Sequence, residues 1–408
     1  MKRIVALFLS TAMMVSLLAG CGGGGNDSGA KSSSASEPAS VSEPVSSSDS
    51  APASEPEKEE EEKDTGSTEA IDYANFKIDP SEIPQEKLDT TLYLAVSVRG
   101  LENPYIATIN EGMKQFAEYL DEIGQKYEMQ VLDSQGDSAK EVDNMRQFAA
   151  RANGNAIAYA DPNEDTIAYS LAEAMAESGG YLGTAWNKPT DVSPEDLNPN
   201  WVIHTAPNNV TNGYNIAKAL FDQMDGAGKI FVCQGLLGNT AANDRYAGLQ
   251  EALAEYPDIE VVGDDAANWN TDEALALVET WLTQHPDVGG VWCANDNMAT
   301  GAIQALDAAG LKGKVGVVGV DANTDIVQAV ADGDATATVS SNGYLQGGYT
   351  LAICYAAWAG LIDVEDLPNE YREFETPVTL IDSPEAAEEY QSTVPEFDFS
   401  QIFWCKAD

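Results

Sequence analysis

Apolar runs in this chain repeatedly stop on a carboxylate, an amide, a guanidinium or an aromatic ring. "RGLENPYIATINEGM" follows "LYLAVSV", Asp161 follows "AIAYA", "WNKP" from Trp186 follows "GYLGTA", and "LLGNTAANDR", which ends at Arg245, follows "KIFVCQG". Asn295 follows "GVWCA" and Asp321 follows "VGVVGV". Carboxylates accept hydrogen bonds, amides donate and accept, guanidinium donates as a planar fork, and rings bury apolar faces. The set is suited to non-covalent recognition. No nucleophile stands beside a base at a catalytic spacing, so the chain reads as a binding protein and not an enzyme. The two histidines, His204 and His285, lack ligand spacing, and "GLLGNTAA" lacks the Lys-Ser/Thr of a phosphate loop. The acidic loops "DPNED", "DDAANWNTD" and "DANTD" miss the calcium-loop spacing, so neither a metal nor a cofactor is expected.

Elements of a particular kind must hold these residues. From residue 92, ten short apolar runs alternate with amphipathic segments such as Ile106, Ile109, Met113, Phe116, Leu120 and Ile123, spaced by three and four. Strands alternating with helices predict an α/β fold of parallel sheets with helices on both faces. Ten strands divide into two similar lobes of about five. In such sheets ligands bind beyond the carboxyl ends of the strands, where the polar and aromatic residues gather. In "VWCANDNMATGA", Asp296 or Asn297 is expected to cap the following helix, and Asn295 to face the ligand.

The ends and the charge restrict the setting. Lys2 and Arg3 precede a mainly apolar stretch from Ile4 to Leu18, the pattern of a secretion signal over residues 1–20. Residues 22–70, rich in Ser, Ala, Glu, Pro and Gly and free of aromatic residues, cannot bury enough apolar surface to offset ordering entropy, and predict a flexible tether. A formal net charge of −46, from 67 acidic and 21 basic side chains, opposes nucleic acid and anionic lipid as partners. Cys233, Cys293, Cys354 and Cys405 show no CxxC spacing and are expected as buried thiols, a Cys354–Cys405 bridge remaining open.

Two resemblances add to this reading. Leu18-Ala19-Gly20-Cys21 resembles the lipobox of bacterial lipoproteins, which implies lipidation of Cys21 and a protein anchored on the outer face of the cell membrane by lipid alone. The motifs "NPYIATINEGM", "LDSQGD", "GNTAANDRYAGLQEAL", "HPDVGGVWCANDNMATGAIQAL", "VGVVGVDANTD" and "TPVTLID" resemble the type I periplasmic binding proteins, in the branch of the ribose and galactose binders, over roughly residues 92–382. That family grips a sugar between two lobes, burying its C–H faces on rings and pairing its hydroxyls with polar groups.

The resemblance implies a ligand site of Asn103, Tyr105, Asp161, Arg245, Trp269, Asn295 and Asp321, completed near Asn342. Relatives often carry an Asp-Arg pair after the fourth strand, where this chain has Trp186 and Asn187, both taken as site residues. Other roles stay open for three of them. Tyr105 fits an apolar helix stripe, Asp161 can cap the helix after Pro162, and Arg245 can pair with Asp244.

By the same resemblance the lobes comprise residues 71–206 with 342–362, and 207–341 with 363–408, and close about a hinge on a pentose, hexose or related polyol. The implied partners are an ABC permease and its ATPase, with the binding protein itself a monomer. A sensory module presenting a sugar or furanose signal to a membrane kinase is the alternative.

Overall fold

The computed structural model describes residues 76–101, 103–393 and 397–400; the predicted signal segment, Cys21, the tether and Cys405 lie outside them. A short helix, α1 (Gln85–Asp89), leads into an alternation of β1 (Leu92–Val98), α2 (Pro104–Glu122), β2 (Tyr127–Asp133), α3 (Ser138–Ala152), β3 (Ala156–Ala160), α4 (Ala168–Ala176), β4 (Tyr181–Ala185) and β5 (Trp201–Ala206). The chain then enters a second lobe built of α5 (Asn209–Gln223), β6 (Ala227–Gln234), α6 (Thr240–Glu255), β7 (Asp258–Ala266), α7 (Thr271–Leu282), β8 (Gly290–Cys293), α8 (Asp296–Ala308), β9 (Gly316–Val318), α9 (Thr324–Asp332) and β10 (Thr338–Ser340). It returns through α10 (Gly343–Ala359) and β11 (Glu373–Glu375), and finishes with β12 (Thr379–Ile381) and α11 (Pro384–Ser392). The described residues all belong to one compact unit.

The first sheet has the order β11-β5-β4-β3-β1-β2 and is parallel throughout. Period-two alternation sends Leu92, Leu94, Val96 and Val98 of β1 to one core, with side chains of α2 and α10, and Ala95 to the other, with side chains of α3 and α4. The second sheet, β7-β6-β8-β9, is also parallel, and β10 pairs antiparallel with β12 beside it. This is the two-lobed α/β fold with helices on both faces of parallel sheets that the alternation of runs predicts. Helix α10 is mainly apolar and buried nearly all round, because it lies between α2 and the first sheet. Its contact with α2 depends on Gly112, where a Cβ would lie 2.1 Å from the Tyr344 carbonyl oxygen. Cys233, Cys293 and Cys354 are buried free thiols.

The chain crosses between lobes after β5, after β10, and a third time between β11 and β12. Resemblance put that third crossing near residue 362, with 363–408 in the second lobe. Instead β11 pairs with β5 of the first sheet, so the crossing falls after Glu375. The segment 397–400 also lies on the first lobe, where Phe399 packs on Phe116 and the Ile78 amide donates to the Ser400 carbonyl oxygen at 2.9 Å. A strand reading Glu-Phe-Glu shows no apolar run, and its partner lies about 170 residues earlier in sequence.

Candidate functional site

The carboxyl ends of both sheets open on one cleft of about 610 Å³ between the lobes. Its wall is made by the short segments that follow the strands, and several of these have strained backbone. Gln135 (φ 56°), Trp186 (φ 67°), Asn268 (φ 51°), Trp269 (φ 63°) and Asp321 (φ 127°) all line the cleft in the left-handed half of φ space. Such a conformation costs a non-glycine residue about 1 kcal/mol or more and persists only where packing and hydrogen bonds over-determine it. Here it turns the side chain at a strand end towards the shared space.

Seven of the ten residues named from sequence line the cleft: Asn103, Tyr105, Trp186, Arg245, Trp269, Asn295 and Asp321. Three do not. Asp161 is 1% exposed and lies behind the wall, paired through Oδ2 with Nη2 of Arg99 at 3.1 Å; it caps no helix. Asn187 is buried where the lobes meet, its Nδ2 donating to the Pro162 carbonyl at 3.1 Å and its Oδ1 accepting from the Ala241 amide at 3.5 Å. Asn342, with φ 55°, caps α10 by accepting from the Leu345 amide at 3.1 Å.

Asparagine capping explains much of the wall. The Oδ1 of Asn103 accepts from the Tyr105 amide at 3.0 Å, that of Asn270 from Asp272 and Glu273, and that of Asn295 from Met298 at 3.1 Å. Capping with the oxygen leaves Nδ2 as a donor beside the helix N-terminus, which an ionised Asp at the same position lacks. Asn295 is therefore both the cap of α8 and a cleft residue, correcting the assignment of the cap to Asp296 or Asn297. Asp296 is fully buried and accepts from Thr338 Oγ1 at 2.8 Å and the Asn323 amide at 2.7 Å, tying α8 to the β9 exit. Asn297 lines the cleft and donates to the Trp269 carbonyl at 3.4 Å.

Arg245 lies at the centre. It is 3% exposed, donates from Nε to Asn209 Oδ1 at 3.0 Å and from Nη1 to the Ala294 carbonyl at 2.7 Å, and faces Asp321 across 4.0 Å. Its guanidinium carbon is 5.2 Å from the Trp186 ring centroid and 5.6 Å from that of Trp269. Its hydrogen bonds do not go to Asp244. Tyr105 meets Trp186 edge-on at 5.5 Å and donates to Gln346 Oε1 at 2.7 Å, so it is both core and wall.

Burial dominates the electrostatics. It raises the Asp321 carboxyl to about 6 against the opposing pull of Arg245, and raises Asp161 against Arg99. It also lowers the Arg245 guanidinium from its ordinary range, against the pull of Asp321. At 4.0 Å the Arg245–Asp321 contact does not restore what each charge lost in leaving water. Among the described residues no group of three or more His, Cys, Asp or Glu is placed to hold a metal ion.

Sequence reasoning missed Arg99, Gln135, Asn163 and Asn268. Arg99 had a usable signal, since it is the first residue after β1. Asn163 is placed by its amide donating to Glu141 Oε2 at 2.9 Å, a contact invisible in sequence.

Comparison with known proteins agrees with this geometry. The family described as periplasmic binding protein domain matches residues 94–361. The chain is 35% identical over 173 residues to the xylitol-binding protein of Mycolicibacterium smegmatis, covering 42% of this chain and 48% of that protein, about half its length. It is 32% identical over 248 residues to the ribose import binding protein of Escherichia coli K12, covering 60% of this chain and 78% of that protein. Among solved structures, a twin-arginine translocation pathway signal protein from Burkholderia phytofirmans superposes with TM-score 0.72 at 32% identity, covering 78% of this chain and 99% of that one. With a family match over more than half its length, a two-lobed parallel α/β fold and a cleft at the strand ends, the chain belongs to the periplasmic binding protein family.

Proposed function

We propose that this protein is the extracytoplasmic solute receptor of an ABC importer, capturing an uncharged polyol, a pentose or hexose or related compound, without transforming it. One observation carries the reading. Trp186 from one lobe and Trp269, Arg245, Asn295 and Asp321 from the other face a single cleft, so ring faces and desolvated hydrogen-bonding groups surround the same space. A polyol offers C–H faces to the first and hydroxyls to the second. Similarity to xylitol- and ribose-binding proteins supports the same class.

The charge of the wall argues for a neutral ligand. Arg99 and Arg245 are outnumbered by Glu164, Asp272, Asp321 and Asp325, which disfavours sugar acids and sugar phosphates. Contacts from both lobes favour the closed state, which a membrane permease with its ATPase would then receive. The protein acts as a monomer held at the outer membrane face through lipidated Cys21, with the residues 22–70 as tether.

Titration of the purified protein with pentoses, hexoses, xylitol and myo-inositol, followed by calorimetry and tryptophan fluorescence, tests this. Saturable binding with a change in emission is expected. Silence towards every polyol, together with tight binding of an amino acid or peptide, would overturn it.

A further inference from the structure

We propose that Asn297 is a positioning residue for ligand recognition: its side-chain amide aims Trp269 into the cleft, and Asn323 sets the direction of that amide. The inference rests on the polyol reading above and deepens it, because it names what fixes the ring on which a C–H face would lie. Trp269 stands between β7 and α7 in a left-handed turn, after Asn268 at φ 51° and itself at φ 63°. Its indole Nε1 is buried with no hydrogen-bond partner among the described residues, so the ring is aimed by its backbone and by packing on Gly235.

Hydrogen bonds from α8 hold that backbone. Asn297 Nδ2 donates to the Trp269 carbonyl at 3.4 Å, and Thr271 Oγ1 donates to the Asn297 carbonyl at 2.9 Å, so the starts of α7 and α8 are joined twice. Asn297 Oδ1 in turn accepts from Nδ2 of Asn323 at 3.2 Å, and the Asn323 amide is anchored on Asp296 Oδ2 at 2.7 Å. Asn323 occupies the N-cap of α9, yet its side chain makes no capping bond there, unlike Asn103, Asn270 and Asn295 at theirs. Its head faces Asn297 instead.

Only one orientation of this relay works. A carbonyl oxygen only accepts, so Asn297 must present its amide nitrogen to Trp269 and its oxygen to Asn323, which must then present its own nitrogen. Ionised aspartate has the shape of asparagine without the donor, and would set a carboxylate against the Trp269 carbonyl. The relay also joins the β7 exit to the segment after β9 that carries Asp321. An apolar face and a carboxylate of the same lobe are thereby held in fixed relation before a ligand arrives, which lowers the ordering cost of binding.

The test measures affinity and melting temperature for the wild type and for Asn297→Ala, Asn297→Asp, Asn323→Ala and Trp269→Leu, using D-ribose, D-allose, L-arabinose, xylitol and myo-inositol. Fluorine NMR of fluorotryptophan-labelled protein follows the ring itself, the Trp269 signal being assigned by its loss in Trp269→Leu. Asn297→Ala should weaken binding about threefold to tenfold, the value of one neutral hydrogen bond, with little change in melting temperature because Thr271 still joins the two helices. Asn297→Asp should weaken it at least as much without loosening α8, whose first turn favours a carboxylate. Asn323→Ala should weaken binding less, and add nothing to Asn297→Ala. In the ligand-free protein all three variants should shift or broaden the Trp269 signal and leave those of Trp201 and Trp292, buried in the cores, unmoved. In the Trp269→Leu background, Asn297→Ala should add no further loss. Full affinity in Asn297→Asp, or an unmoved Trp269 signal, would overturn the inference while leaving the polyol reading intact. So would an undiminished loss in the Trp269→Leu background, which would make Asn297 a direct ligand contact. A wild type silent towards every probe would overturn the polyol reading, and the ligand-free signals would still decide the positioning.

Discussion

The Trp186 ring of the first lobe stands 5.2 Å from the guanidinium carbon of Arg245 in the second, and that same guanidinium lies 5.6 Å from Trp269. Beside this contact, Asn187 Oδ1 accepts the Ala241 amide across the lobes at 3.5 Å. The lobes therefore touch at the β4 exit and the start of α6 with a cleft still open between them. A ligand meets two indoles already arranged around one cation, which lowers the ordering cost of binding.

Trp186→Ala removes the inter-lobe stack and one ring face. The ligand-free protein should show a larger radius of gyration by small-angle scattering, and the polyol dissociation constant should rise at least tenfold. An unchanged radius would place the lobe contact elsewhere.

Arg245→Ala should abolish binding and also lower stability, because Asn209 Oδ1 and the Ala294 carbonyl would lose their buried donor. A loss of about 1–3 kcal/mol is expected from urea denaturation, the cost of leaving buried polar groups unpaired. Arg245 thus belongs to the core of its lobe as well as to the wall.

Gly235→Ala tests the seat of Trp269. A Cβ at this position would lie 2.2 Å from the indole, so the ring must move. Affinity should fall on the order of tenfold or more with a near-native circular dichroism spectrum, and Trp269 emission should shift.

Acid should release the ligand. Asp321 titrates near 6, raised by burial, and only its ionised form accepts from a ligand hydroxyl at both oxygens. Affinity is then full above this value and falls as pH drops through it, by at most tenfold per unit. Asp321→Asn should bind weakly and remove the dependence, as calorimetry between pH 5 and 8 would show.

Stability should carry a second pH signature, from Glu141. Burial raises its carboxyl to about 8 from an ordinary 4.5, with Asn163 and Ser97 donating to it and Asp161 and Arg99 nearby. Because the folded value lies above the unfolded one, its contribution is full below about 4.5 and is lost as pH rises towards 8. Glu141→Gln should therefore gain stability relative to the wild type between pH 5 and 8. Parallel denaturation curves across that range would show that Glu141 does not titrate there.

Much of this protein was legible from local pattern. The ten apolar runs became strands within a few residues of their predicted bounds, most continuously in inner strands such as β3, β5 and β8, because burial on both faces of a parallel sheet demands continuous apolar stretches. Looking for polar and aromatic residues at strand exits brought seven named residues to one cleft, since the crevice of α/β sheets lies beyond the carboxyl ends of the strands. Local pattern failed where function depends on pairs distant in sequence. Strand β11 is recognised by β5 and not by its own composition, which is why the third crossing fell after residue 375. Asp161 and Asn187 stand at strand exits like their neighbours, yet one step of depth decides that they hold Arg99 and Ala241 instead of lining the cleft. Sequence determined the alternation of elements, and with it which strand end each polar residue occupies. Tertiary structure alone decided which of those residues reach the cleft, because strand order sets their neighbours and burial settles whether a charge faces a ligand or another charge.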